Sequence, residues 1–183
     1  MTLIPTGSQT VGPFFNFGLT ANQSLGRLAK DGAEGERIKL EFRVTDGDGV
    51  ATPGDSMIEI WQADAQGRYA DTDSHFQGFG RLETDAYGVC IFETIKPGRV
   101  AGPDGRLQAP HVNVIVFARG LLSHLYTRLY FDGEPSNLED VALNLVPESR
   151  RQTLLGQPAE GKPNTWRMDI RLQGMGETVF FDL

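Results

Sequence analysis

Short stretches that alternate apolar and polar residues, each closed by a turn containing glycine or proline, constrain this chain more than any other feature. Ile38-Lys39-Leu40-Glu41-Phe42-Arg43-Val44 alternates and runs into Asp46-Gly47-Asp48-Gly49, the pattern of a half-buried strand that ends in a turn. Residues 57–61 read as the next strand. After a polar loop rich in Asp, Gly and Gln, residues 89–95 read as another, closed by Lys96-Pro97-Gly98. Residues 111–119, 125–131, 165–172 and 177–183 complete the series, with high β-propensity. The 22 glycines and 10 prolines are spread along the chain rather than gathered into a linker, so they punctuate many short elements. Helical pattern is confined to residues 23–30 and 148–155, the second just after Pro147. About seven strands separated by turn signals predict an all-β fold, a β-sandwich with one or two short helices.

A chain of 183 residues suits one domain and one core, without metal or disulfide staples. Hydrophobic residues at 39% and charged residues at 22% give an ordinary globular balance with no membrane-length apolar run. Seventeen Lys and Arg against 24 Asp and Glu leave a net charge of −7, which argues against nucleic acid as a partner. The single cysteine, Cys90, lies in an apolar stretch, so no disulfide forms within the chain and a reducing compartment is expected. Residues 1–13 contain no Lys or Arg and no apolar core of signal-peptide length. The cytoplasm is the expected location.

The first segment does not fit the sandwich pattern. Thr6-Gly7-Ser8-Gln9-Thr10-Val11-Gly12-Pro13-Phe14-Phe15 places small turn-forming residues before aromatics. Residues 1–17 read as an arm, either a frayed terminus or a segment that docks Phe14, Phe15 and Phe17 on a partner.

Only His75, His111 and His124 are available for imidazole chemistry. No nucleophile elbow or phosphate-binding glycine loop is present, and Cys90 reads as a core residue. Period-2 alternation puts His111, Asn113, Ile115, Phe117 and Arg119 on one strand face. A His-x-His pair there would present two imidazoles to a metal. Asn113 occupies the second position and is a poor transition-metal ligand. Taken alone, His111 reads as a hydrogen-bonded structural histidine.

The phrases Trp61-Gln62-Ala63-Asp64-Ala65-x-Gly67-x-Tyr69, Asp85-x-x-Gly88, Ile95-Lys96-Pro97-Gly98, Ala109-Pro110-His111 and Arg128-Leu129-Tyr130-Phe131 occur in this order. Together they resemble the intradiol aromatic-ring dioxygenase family. The resemblance extends from Ser8-Gln9-Thr10-x-Gly12-Pro13 to Gly176-Glu177-Thr178-Val179-Phe180-Phe181-Asp182. The two ends and Phe117-Ala118-Arg119-Gly120 are similar to the alpha-type chains of its alpha–beta members, those that cleave protocatechuate.

The resemblance implies a β-sandwich in a hetero-oligomer whose beta subunit holds a non-haem ferric ion, Fe(III), with two Tyr and two His. The four ligand positions fall on Tyr69, Val100, His111 and Asn113 of this chain, so one Tyr and one His are missing. The arginine that helps stabilise substrate in the catalytic chain falls on Gln108. Val100 has no donor atom and Asn113 only a neutral amide, so no metal is expected to stay on this chain. Tyr69, Val100, His111, Asn113 and Gln108 are read as relics of a site. The resemblance also implies that Thr10, Gly12, Pro13 and Arg119 complete the partner's substrate pocket. Arg119, eight residues from His111 along a strand, stands roughly 26 Å away and serves a different place. Two rivals remain open: a chain that binds iron and acts by itself, and a β-sandwich binding module with no enzymatic partner.

Overall fold

The computed structural model describes residues 13–47, 49, 56–69, 75–102 and 105–182, with side chains from residue 17 onward. Eight strands dominate it: β1 (Arg37–Thr45), β2 (Ser56–Gln62), β3 (Phe79–Glu83), β4 (Val89–Ile95), β5 (His111–Ala118), β6 (Leu125–Phe131), β7 (Leu155–Pro158) and β8 (Thr165–Arg171). Their hydrogen-bonded order is β3-β2-β5-β6-β7-β8-β1-β4. The short β7 joins the two halves, pairing parallel with β6 through Tyr130 and Phe131 and antiparallel with β8. The end strands β3 and β4 approach each other, so the sheet almost closes on itself.

One apolar core fills the space between the halves. Leu40, Phe42 and Val44 of β1, Phe92 of β4 and Ile170 of β8 meet Ile58 of β2, Val112, Val114 and Val116 of β5, and Leu129 of β6, all fully buried. The expected alternation in β1 and β5 is therefore the core pattern. Phe42 and Phe92 meet edge to face with ring centroids 5.9 Å apart, an arrangement favoured by the ring quadrupoles. Cys90 is buried in this core, and burial pushes its thiol pKa up.

Three sequence expectations are corrected. Residues 23–30 form only a 3-10 turn over Gln23–Gly26; Arg27 is already extended, and the Leu28 amide bonds to the Glu93 carbonyl at 2.8 Å. Burial of Leu28 and Ala29 against the sheet outweighs local helical preference. Residues 177–183 supply only a bridge between Phe181 and Tyr126, because their polar groups bond to scattered partners rather than to one strand. The polar loop before residue 89 contains β3, which pairs with β2 over Met57–Trp61. The helix expected at 148–155 is present as α3 (Glu148–Arg151) and a 3-10 turn, Gln152–Leu154, and Leu155 opens β7.

Of the expected arm, residues 1–12 lie outside the described residues. Pro13 opens α1 (Pro13–Thr20), as proline suits a first helical position. Phe17 on that helix is exposed, and Thr20 Oγ1 donates to Glu83 of β3 at 3.2 Å. The remaining helix, α2 (Val141–Leu145), is capped by Asp140.

Candidate functional site

Three neighbouring strands build the floor of the site. Trp61 of β2 pairs with Asn113 of β5, which pairs with Arg128 of β6; one step along, Ile115 pairs with Tyr126. These side chains stand on the face of the sheet away from the core. They line a cavity of about 380 Å³ together with Thr127, Ala142 and Phe181.

Two loops that the sequence marks with glycine meet above this row. Gln62 is fully buried, donating to the Ala63 and Ile95 carbonyls and accepting from Thr94 Oγ1 at 2.8 Å, so it ties the end of β2 to the end of β4. Asp64 then organises the turn. Burial works against its carboxylate, but the Arg68 and Gln66 amides and the Arg68 guanidinium outweigh this and hold its pKa below the ordinary range. A Cβ on Gly67, whose φ is +78°, would lie 1.8 Å from the Arg99 carbonyl oxygen, and one on Gly98 would lie 2.5 Å from that of Ala65. Only glycine permits this contact between the loop that carries Tyr69 and the loop that carries Val100.

Tyr69 stacks on Trp61 with ring centroids 6.2 Å apart and planes 9° from parallel. Its hydroxyl accepts a hydrogen bond from Asn113 Nδ2 at 3.1 Å, and the same amide donates to the Trp61 carbonyl at 3.3 Å. Val100 is buried; the Gln108 amide bonds to its carbonyl at 2.8 Å. Arg99 ties this turn down, donating to the Leu107 and Gln108 carbonyls.

His111 is 1% exposed. Its Nδ1 lies 2.8 Å from the Ala109 carbonyl, and because a carbonyl only accepts, Nδ1 carries the proton and Nε2 the lone pair. Burial, with the nearby Arg128 charge, pushes the imidazole pKa down to about 4. Tyr130, its cross-strand partner, has its pKa raised by burial and donates to Asp140 Oδ1 at 3.1 Å. Asp140 is fully buried and also accepts from the Ala109 amide at 2.7 Å and the Leu143 amide at 2.8 Å.

Gln108 Oε1 accepts from Arg128 Nη1 at 2.8 Å, and the same nitrogen reaches the Tyr130 hydroxyl at 3.3 Å. Position 108 thus carries an amide, and the guanidinium beside it comes from β6. Arg128 and Asp140 received no role from sequence reasoning. Asp140 was detectable as a capping residue before Val141-Ala142-Leu143, whereas Arg128 needed the pairing of β5 with β6.

Tyr69 and Asn113 are therefore in direct contact, Val100 and Gln108 are linked by a backbone bond, and His111 lies under Tyr130. A ferric ion needs several anionic or imidazole donors. Here Val100 contributes none, and the Asn113 amide presents its N–H groups to Tyr69 and Trp61. The set does not fit an ion held by this chain. Among the described residues no group of three His, Cys, Asp or Glu side chains comes together elsewhere. Arg119 is exposed just beyond the last residue of β5, and His111 is the first, so the two stand at opposite ends of one strand. Thr10 and Gly12 lie outside the described residues. Among the described residues no helix is long and apolar enough to cross a membrane.

Residues 10–174 match a protein-family model described as "Dioxygenase". The protocatechuate 3,4-dioxygenase alpha chain of Burkholderia cepacia is 44% identical over all of this chain and 99% of its own length. The beta chain of the same enzyme from Burkholderia cepacia is 34% identical over 94% of this chain and 77% of its own. Among solved structures, the dioxygenase domain of a dioxygenase carbohydrate-binding fusion from Streptomyces sp. SirexAA-E superposes with a TM-score of 0.66 at 27% identity, covering 93% of this chain and 99% of that one. Matched over its length in sequence and in fold, the chain belongs to the intradiol ring-cleavage dioxygenase family.

Proposed function

We propose that this chain is the alpha, non-iron-binding subunit of a heteromeric protocatechuate 3,4-dioxygenase. The observation that carries this reading is the whole-length likeness to an alpha chain, 44% identical, against 34% for a beta chain over a smaller share of both. The family is iron-dependent. The Fe(III) is assigned to the partner beta subunit, because Val100 and Asn113 remove two of the four donors from this chain. When bound there, iron activates the catechol ring of protocatechuate for intradiol cleavage by O2 to 3-carboxy-cis,cis-muconate.

The chain's own contribution is to shape the shared pocket. Gly12 allows close backbone approach to a ligand, Thr10 and Pro13 form the rest of the arm's contribution, and Arg119 can meet a carboxylate through its planar guanidinium. The reading takes residues 1–183 as one domain with residues 1–17 as the docking arm, in the cytoplasm.

Co-expression with a candidate beta chain tests it. The chain purified alone is expected to be colourless and free of iron, and the complex to bind iron and consume protocatechuate and O2 together. A coloured, active preparation of the chain alone would overturn the reading. Failure to form any complex would favour a binding module.

A further inference from the structure

Arg119 stands on the turn between β5 and β6, and the two limbs of that turn are held differently. The outgoing limb is strand to its end, since Ala118 pairs with Ser56 of β2. The returning limb joins the sheet only at Leu125, which lies opposite Val116 at the end of the β5–β6 ladder. Arg119 and Gly120 are the central residues of the turn, closed by the Leu121 amide donating to the Ala118 carbonyl at 3.2 Å. Gly120 has a φ of +92°, a conformation that glycine supplies without strain at this turn position.

His124 fastens the returning limb. Its ring meets Phe117 of β5 with centroids 5.4 Å apart and Tyr126 of β6 edge to face at 4.7 Å. His124 Nε2 and the Tyr126 hydroxyl share a hydrogen bond at 2.7 Å, which either group can donate because each can also accept. Tyr126 is itself anchored: it pairs with Ile115, and its carbonyl accepts from the Phe181 amide at 2.8 Å. Phe117 precedes Arg119 by two residues, so the three rings form a clasp across the neck of the turn that carries the guanidinium. Aromatic contacts between facing strands supply order where the backbone ladder stops.

We propose that His124 is a positioning residue, which by clasping Phe117 and Tyr126 holds the β5–β6 turn so that Arg119 is presented to the substrate carboxylate in the partner's pocket. An arginine side chain is long and rotamer-rich, and meeting a carboxylate in a set geometry requires that the backbone beneath it be fixed. The inference rests on the subunit reading, in which Arg119 serves that pocket, and adds the residue through which Arg119 is held.

The test is steady-state kinetics of the alpha–beta complex with protocatechuate and with catechol, which lacks the carboxylate. His124→Ala should raise KM for protocatechuate about three- to tenfold with kcat within about twofold and iron content unchanged. KM for catechol should not move. His124→Gln, which keeps a nitrogen for the Tyr126 hydroxyl, and Tyr126→Phe, which keeps the ring, should each raise KM less than His124→Ala. In an Arg119→Ala background, His124→Ala should add less than about twofold, because it acts only through the arginine. In the full chain without its partner, hydrogen exchange of the Leu121 amide should be about three- to tenfold faster in His124→Ala, since the clasp keeps the turn closed. An unchanged KM, an equal effect on catechol, additivity with Arg119→Ala or an unchanged Leu121 exchange rate would each overturn the proposal. Should Arg119→Ala raise KM while His124→Ala does not, the subunit reading stands and only the positioning role falls. Should Arg119→Ala itself leave KM unchanged, the reading of Arg119 fails and the proposal with it.

Discussion

Asn113 Nδ2 donates to the Tyr69 hydroxyl at 3.1 Å. Two positions that the family resemblance aligns with metal ligands are here joined directly to each other, donor to acceptor. The amide holds the phenol beside Trp61 through a neutral hydrogen bond, worth about 1 kcal/mol. The pocket is held by its own side chains.

Asn113→His is expected to leave the chain colourless and iron-free after incubation with ferric salt, because Val100 still lacks a donor. Iron per chain and visible absorbance check this; a stoichiometric coloured protein would show that three donors suffice. Val100→Tyr would add the fourth, but Val100 is buried, so overpacking should cost about 1–3 kcal/mol.

Acid should destabilise the fold through His111. Its folded pKa of about 4 lies below the ordinary 6.5, so the unfolded chain takes up the proton first. The stability contributed by neutral His111 is complete above pH 6.5 and is lost as pH falls from 6.5 towards 4. The loss should reach about 2–3 kcal/mol near pH 4.5. Urea melts of the wild type and His111→Gln at pH 7 and 4.5 isolate it: the variant should lose less on acidification.

Asp140→Ala should be among the most destabilising single changes. It removes the acceptor for the Ala109 and Leu143 amides and the Tyr130 hydroxyl in a fully buried setting. A buried donor left unsatisfied costs about 1–3 kcal/mol, so a loss of at least 3 kcal/mol is expected. Tyr130→Phe, which removes one of the three bonds, should lose about 1–2 kcal/mol. Chemical denaturation measures both.

In the proposed alpha–beta complex, Arg119→Ala should raise KM for protocatechuate several-fold with iron content unchanged. Arg119 stands at the end of β5 opposite His111, so its loss should not reach the cavity floor. Steady-state kinetics with iron analysis decide it, and iron loss would contradict the assignment.

Much of this was legible along the chain. The alternation in β1 and β5 gave the core face directly, because a strand's period of two does not depend on which strand lies beside it. The absence of donors at Val100 and Asn113 was equally a matter of residue type. Residues 23–30 misled because their helical preference was local, whereas the burial of Leu28 against the sheet was not. β3 was hidden because its short run, around Gly80, becomes a strand only by pairing with β2.

By itself, then, the sequence determined an all-β chain, its inward-facing residues, and that position 100 carries no donor atom and position 113 only a neutral amide, all properties of residue type and short-range spacing. Tertiary structure alone decided that Asn113 bonds Tyr69, that Gly67 and Gly98 bring two distant loops together, and that Arg128 faces the cavity beside Trp61. Those relationships depend on strand register and loop contact across tens of residues, which no local pattern encodes.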